Sequence, residues 1–260
     1  MPGRFDGRCA VVTGAAQGLG RAVAARLLRE GASVVAADVQ GDKVAAMRAA
    51  LGEPASRRMT TVSGDLSIAA GARALIDTAL GTFGRLDVLV NVAGGSGHEA
   101  IRDIEDMREE VWHQVFANNI HATYQCCRAA VPHMRKAAYG RIVNFTSGAV
   151  DGFTAWPTAM AARLAYSSAK GAIEAFTRQL AADLYPAGIT VNMISPSFVL
   201  TEPGARVYER FNQLPDEIRN ARIAGGDLKT TPEDIADASA YLASEGAGAV
   251  HGMCLKVGCR

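Results

Sequence analysis

The chain has 260 residues, 49% of them hydrophobic, which is enough for one large core and short for two comfortable domains. Its 27 basic and 26 acidic residues leave a formal charge of +1, and they are interspersed without a long basic run, so nothing marks a nucleic-acid partner. No apolar stretch is long enough to cross a bilayer, and residues 1–6 lack the charged and apolar regions of a signal peptide, so a cytoplasmic protein without a membrane role is expected.

Seven apolar runs read as strands in chain order: Cys9–Thr13, Ser33–Asp38, Arg58–Ser63, Leu86–Asn91, Arg141–Thr146, Ile189–Ser195 and Met253–Val257. Between them lie helical patterns with Ala, Leu and Val on one stripe, as in Gly18–Glu30, Ile68–Phe83, Trp112–Lys136 and Ala169–Leu184. Repeated strand and helix, with strand interiors too apolar to face water, predict one doubly wound α/β domain over residues 1–260 with a seven-stranded parallel sheet covered on both faces. Two intervals after strand carboxyl ends, Gly148–Leu164 and Ser195–Leu214, read as loops in the position where ligands bind such sheets.

The turn after the first strand, Thr13-Gly14-Ala-Ala-Gln17-Gly18-Leu19-Gly20, has the glycine spacing of a dinucleotide site. Gly14 suits a tight turn, Gly18 lets backbone approach a pyrophosphate, and Gly20 lets helix and strand pack closely. The helix N-terminus then offers N–H groups to the phosphates. Asp38 ends the second strand, eighteen residues after Gly20, where a carboxylate accepts hydrogen bonds from both ribose hydroxyls and repels a 2′-phosphate. No Arg or Lys occurs among Ala15, Ala16, Gln17, Val39 and Gln40 to neutralise such a phosphate, so NAD is expected over NADP. After the third strand, Asp65 of Gly64-Asp65-Leu66 suits an adenine amine or a helix cap. Asn91-Val92-Ala93-Gly94 closes the fourth strand with small residues that admit a cofactor.

Tyr166 and Lys170 stand four residues apart in a segment that reads as helix, which puts phenol and ammonium on one face. The five cysteines form no C-x-x-C pair and no zinc spacing with histidine, so reduced buried thiols and no metal are expected. Among the histidines, His98 and His121 lie near these motifs, whereas His113, His133 and His251 have none around them, and each is expected to be a surface or a satisfied core histidine. The absence of G-x-S-x-G disfavours a hydrolase.

Together these residues resemble the short-chain dehydrogenase/reductase family in its compact single-domain form. Thr13–Gly20 is similar to its T-G-x-x-x-G-x-G turn, Asn91–Gly94 to its N-N-A-G element and Tyr166–Lys170 to its Y-x-x-x-K. Asn119 and Ser147 align with its catalytic Asn and Ser, although Asn118 and Thr146 are neighbouring rivals. The segment Asn192–Thr201, with Pro196, Phe198, Val199 and Thr201, resembles the stretch that reaches the nicotinamide carboxamide, and Thr231-Pro-Glu-Asp-Ile-Ala resembles a late helix start.

The resemblance implies NAD-dependent interconversion of a secondary alcohol and a ketone. Tyr166 is then the proton donor or acceptor, Lys170 lowers its pKa and binds the nicotinamide ribose, and Ser147 bonds the substrate oxygen. Asn119, at a local helix distortion, would hold a water that links Lys170 to solvent. A free phenol has a pKa of about 10, so work near neutrality calls for a downward shift of about two to three units. The alternatives are oxidation of a cis-dihydrodiol, reduction of an activated C=C bond on the same scaffold, and a non-catalytic nucleotide-binding member. The resemblance also implies a homo-oligomer, a tetramer or dimer, built on Ala-rich helix faces such as Ala169, Ala172, Ala175 and Phe176.

The chain departs from the pattern at Val92 in place of Asn, at Ser197 in place of Gly, and at Val257-Gly-Cys-Arg260 in place of V-D-G-G. The nineteen residues from Ser147 to Tyr166 are also more than the family usually has. Phe153, Trp156 and Met160 in that longer segment are expected to form an apolar wall that favours a cyclic or aromatic ketone or alcohol over a small charged substrate.

Overall fold

The computed structural model describes residues 3–97, 101, 103–152, 162–224 and 229–258. Its strands are β1 (Cys9–Thr13), β2 (Ser33–Asp38), β3 (Met59–Ser63), β4 (Val88–Asn91), β5 (Gly140–Phe145), β6 (Ile189–Pro196) and β7 (Cys254–Val257). They form one seven-stranded sheet in the order β3-β2-β1-β4-β5-β6-β7, and every pairing is parallel. Chain order reverses between β1 and β4, and in an open α/β sheet the crevice at the carboxyl ends of such strands receives the ligand.

Alternation along the strands divides the core in two, as expected for a sheet buried on both faces. Ala10, Val12, Val34, Ala36, Val88 and Val90 pack on one side against α1 (Gly18–Arg29) and α9 (Pro232–Ala243). Cys9, Val11, Val35, Leu89, Ile142 and Val191 pack on the other against α3 (Ala69–Phe83), α5 (Ala122–Ala137) and the C-terminal half of α6 (Arg163–Leu184). The remaining helices are α2 (Gly41–Ala49), α4 (Glu109–Phe116), α7 (Arg206–Asn212) and α8 (Asp216–Ala224).

Three segments differ from their sequence pattern. The stretch Trp112–Lys136 is two helices, α4 and α5, joined by a π-helical turn at Ala117–His121. The start of α6 lies at Arg163, ahead of the periodic stretch, so Tyr166 and Lys170 both sit in its first turns. The interval Ser195–Leu214 contains α7, whose Phe211 is buried and whose start is steadied by Gly204 N–H donating to Glu209 Oε1 at 3.0 Å. Pro203 and Gly204 just before α7 disguised it as loop.

No described helix is long and apolar enough to cross a membrane.

Candidate active site

The glycine turn is dictated by contacts that leave no room for a side chain. Gly14 has φ of +66°, and a Cβ there would lie 2.9 Å from Ala93 Cα. A Cβ on Gly20 would lie 2.1 Å from Gly14 O, so α1 can approach the turn only with glycine at that position. Thr13 Oγ1 accepts from Val92 N–H at 3.1 Å and Ala93 N–H at 3.0 Å, which ties the carboxyl end of β1 to that of β4. The turn and the Asn91–Gly94 segment therefore form one floor. Gln17 is the N-cap of α1 and gives no side-chain bond to it, and Leu19 packs on the core.

Over the start of α1 lies the segment after β6. A Cβ on Gly18 would lie 3.1 Å from Thr201 Cγ2, Gly18 N–H donates to Glu202 Oε1 at 2.9 Å, and Arg21 reaches the same oxygen at 3.4 Å. Thr201 Oγ1 is buried with no hydrogen-bond partner among the described residues. Pro196 ends β6, Val199 is buried, and Phe198 packs against Phe211 of α7 with ring centroids 5.8 Å apart.

Asp38 is buried at the end of β2, where one carboxylate oxygen accepts from Ala16 N–H at 3.0 Å and the other from Gln40 N–H at 3.0 Å. Asp65 accepts from Ser67 N–H at 2.8 Å and Ser67 Oγ at 2.6 Å, closing a turn ahead of α3 without capping its N-terminus, and Leu66 is buried. Asn91 links β4 to β5 through Nδ2 donating to Asn144 Oδ1 at 2.9 Å, and Asn144 in turn donates to Thr177 Oγ1 at 2.9 Å on α6. This ladder supplies amide cross-linking in the central sheet beside Val92.

At the other end of the cleft, Tyr166 of α6 is hydrogen-bonded to Ser147, at the carboxyl end of β5. Lys170 is buried, donates to Phe145 O at 2.8 Å, and lies with Nζ 5.7 Å from the centre of the Tyr166 ring. Thr146 points elsewhere, its hydroxyl lying 3.2 Å from Lys170 O and 3.1 Å from Glu174 Oε1. Asn119 is buried in the π-helical turn, whereas Asn118 is exposed. Asn119 Nδ2 donates to Val115 O at 2.8 Å and to Gly95 O at 2.9 Å, and Asn119 Oδ1 accepts from Gly95 N–H at 3.2 Å.

Burial dominates the protonation of this group. Loss of solvent pushes the Tyr166 phenol above its usual value, and the Ser147 hydrogen bond and the charge of Arg206 offset this only in part. Lys170 is lowered to about 7, first by burial and then by Arg206. The expected downward shift of Tyr166 is absent from the chain by itself, because a lysine drawn toward neutrality supplies little positive field.

Two residues that sequence reasoning passed over enter the cleft from α7. Arg206 donates to Gly94 O at 2.9 Å, and Arg210 donates to Ser96 Oγ at 3.1 Å and to Gly97 O. Arginines one turn apart on a short polar helix ordinarily mark a solvated face, so no local signal distinguished them.

His113, His121 and His133 are exposed, and His251 bridges Val191 N–H and Ala181 O. Cys9 and Cys126 are buried with their thiols pushed up to about 12, and no metal-binding cluster exists among the described residues. Ser197 needs no glycine-like conformation, since Ala138 is the one non-glycine residue with positive φ among those described. His98, Phe153, Trp156, Met160, Cys259 and Arg260 lie outside the described residues.

A model of the family described as short chain dehydrogenase matches residues 8–212, which span the glycine turn, Asn119, Ser147, Tyr166 and Lys170. The chain belongs to the short-chain dehydrogenase family. It is 36% identical over 250 residues to the short-chain reductase protein NovJ of Streptomyces niveus, an alignment covering 95% of this chain and 91% of that one. It is 32% identical over 256 residues to the D-threitol dehydrogenase of Mycolicibacterium smegmatis, covering 98% and 92%. The crystal structure of levodione reductase superposes with a TM-score of 0.83 at 26% identity, covering 98% of this chain and 97% of that chain. This short-chain dehydrogenase is thus an oxidoreductase of a family that uses NAD or NADP.

Proposed function

We propose that the protein interconverts a secondary alcohol and a ketone with NAD, using Tyr166 as general acid and base. The observation that carries this reading is the Tyr166–Ser147 hydrogen bond beside buried Lys170, at the strand ends that face the glycine turn. Whichever small molecule is bound, its reacting oxygen needs one donor that can give up a proton and one that only polarises. A phenol and an aliphatic hydroxyl in mutual contact supply that pair.

The residues fit a dinucleotide. Gly14, Gly18 and Gly20 keep the turn free of side chains, α1 points its N-terminus toward it, and buried Thr201 Oγ1 lacks a partner among the described residues. Gln17, Leu19, Asp65, Leu66, Asn91, Ala93, Gly94, Pro196, Phe198 and Val199 complete the lining. Asp38 would hold the adenosine ribose. With both its oxygens already accepting from backbone N–H groups, its carboxylate is fixed in position, which favours NAD over NADP. When bound, the cofactor supplies hydride exchange at the substrate carbon.

In ketone reduction Tyr166 donates its proton to the carbonyl oxygen, and burial, which keeps the phenol protonated, suits it to that step. Ser147 donates a hydrogen bond to the same oxygen as charge develops. Lys170 gives its proton back to the phenolate, and Asn119 holds the π-helical turn open beside it. In alcohol oxidation the same residues run in reverse.

A homo-oligomer is proposed on α5 and α6, where Ala175 and Tyr124 are exposed and Tyr124 meets Phe176 edge-on at 6.3 Å. Unpaired Cys9, Cys126, Cys127 and Cys254 agree with a cytoplasmic setting.

The test follows nicotinamide absorbance with NAD and NADP across cyclic, aromatic and aliphatic alcohols and ketones, for the native protein and for Tyr166→Phe. Turnover lost in Tyr166→Phe is the expected result. Equal rates for the two proteins would remove Tyr166 from the chemistry.

A further inference from the structure

The arginine pair on α7 reaches the loop after β4, and the charge of Arg206 acts on Tyr166 and Lys170. Arg206 spans the backbone of the loop after β4, bonding Gly94 O at 2.9 Å, with its Nη1 2.3 Å from where a Gly95 Cβ would stand. Arg210 holds the next stretch through Ser96 and Gly97. Both side chains are partly buried, and Arg206 is close enough to the catalytic group for its charge to act on Tyr166 and on Lys170.

All the groups they bond are neutral. Among the described residues neither guanidinium pairs with a carboxylate. The nearby acids are engaged elsewhere, Glu202 with Gly18 N–H and Arg21, and Glu209 with Gly204 N–H. Arg206 also acts as a like charge on Arg210, which burial already pushes below its ordinary pKa. Two partly desolvated cations beside a lysine, without a counter-charge, are an unfavourable arrangement that an incoming anion relieves. Each guanidinium has N–H donors to spare in a fork that matches a carboxylate.

Resting on the oxidoreductase reading of the cleft, we propose that Arg206 and Arg210 bind a carboxylate on the substrate, so that the alcohol and ketone are a hydroxy acid and an oxo acid. The pyrophosphate of the cofactor is a poorer occupant. The helix N-terminus suited to phosphate is at Gly18, whereas both arginines bind the loop 94–97 on the side of Tyr166 and Lys170. The expected preference against small charged substrates is thereby revised to an acid that carries an apolar body.

The test compares 3-hydroxy-3-phenylpropanoate with its methyl ester, by nicotinamide absorbance and by calorimetric binding to the NAD-loaded protein. Native protein should favour the acid over the ester by about 10-fold or more in kcat/KM, carried by KM. Arg206→Gln with Arg210→Gln should cut that ratio by about 10- to 100-fold, and Arg206→Lys with Arg210→Lys should restore part of it. Thermal melting of each variant confirms folding, and the lysine pair keeps the charge if the glutamine pair fails to fold.

Four outcomes overturn the proposal: an ester turned over or bound as well as the acid, an acid-to-ester ratio unchanged in the glutamine pair, equal losses on both compounds with weaker NAD binding, or no binding of the acid. If neutral alcohols turn over while acids are refused, the oxidoreductase reading stands and this one falls. If Tyr166→Phe matches native turnover, that reading falls, and calorimetry of acid against ester still decides the arginine site.

Discussion

Asn119 and Gly95 exchange two hydrogen bonds, Asn119 Nδ2 to Gly95 O at 2.9 Å and Gly95 N–H to Asn119 Oδ1 at 3.2 Å, as two strand residues would. Through this clasp the π-helical turn holds the loop after β4. Asn119→Ala should destabilise the protein by about 1–3 kcal/mol in urea unfolding, because partly buried backbone groups at Gly95 and the buried carbonyl of Val115 lose their partner. Asn118→Ala, at an exposed position, should stay within about 0.5 kcal/mol of native. Equal effects at the two positions would contradict the clasp.

The raised pKa of Tyr166 has a direction that rates can report. Alcohol oxidation needs the phenol to lose its proton, so kcat/KM for oxidation should climb as pH rises into the alkaline range, and kcat/KM for reduction should hold and then fall there. Ser147→Ala removes the hydrogen bond that lowers the phenol and should move both limbs to higher pH. A profile unmoved by Ser147→Ala would separate Ser147 from proton transfer.

Lys170 makes stability depend on pH in the opposite sense to a paired lysine. Its folded pKa, about 7, lies below the ordinary 10.5, so between these values the unfolded chain binds a proton that the folded chain does not. Stability should therefore rise as pH climbs through that window, on the order of 5 kcal/mol for a buried amine. Lys170→Met should flatten this slope and raise stability at neutral pH by about 1–3 kcal/mol while abolishing turnover. Chemical denaturation at several pH values measures both effects.

On the NAD reading proposed for this cleft, Asp38 sets cofactor preference by charge. Asp38→Ser should raise the kcat/KM ratio of NADP to NAD by about 10-fold or more, since the carboxylate that repels a 2′-phosphate is gone. The same change removes the acceptor for Ala16 and Gln40 N–H groups and should cost about 1–3 kcal/mol of stability. Unchanged cofactor preference would mean that Asp38 is a structural cap alone.

Two glycines in helices should respond in opposite directions. Gly20→Ala places a methyl group 2.1 Å from Gly14 O and should cost about 1–3 kcal/mol or more, together with cofactor binding. Gly81→Ala, in α3 with nothing within 4 Å of a new Cβ, should add about 0.4–1 kcal/mol. Thermal melting of the two variants decides the matter.

Much of the scaffold was legible locally. The strands lie within two residues of their apolar runs because a strand buried on both faces must be continuously apolar, and that is a property of adjacent residues. The glycine turn was equally readable, since the close approaches of Gly14 and Gly20 exclude every side chain, and only glycine can record that in sequence. The break of Trp112–Lys136 at Asn119 was not visible in periodicity, because a π-helical turn inserts its extra residue without changing composition. The helix α7 was hidden for a related reason, its Pro203 and Gly204 being turn residues that here precede a helix.

By itself the sequence determined the parallel sheet, its crossovers, the glycine cradle, and the pairing of Tyr166 with Lys170 on one helical face, all consequences of spacing along one element or of steric exclusion at one residue. Tertiary structure alone decided which hydroxyl and which amide face the cleft. Thr146 is turned to Glu174 while Ser147 meets Tyr166, and Asn118 is exposed while Asn119 is buried. It also decided that Tyr166 is raised and Lys170 lowered, and that two arginines far along the chain close over the loop at Gly94. Orientation, burial and field depend on neighbours remote in sequence, and those neighbours exist only once the sheet has assembled.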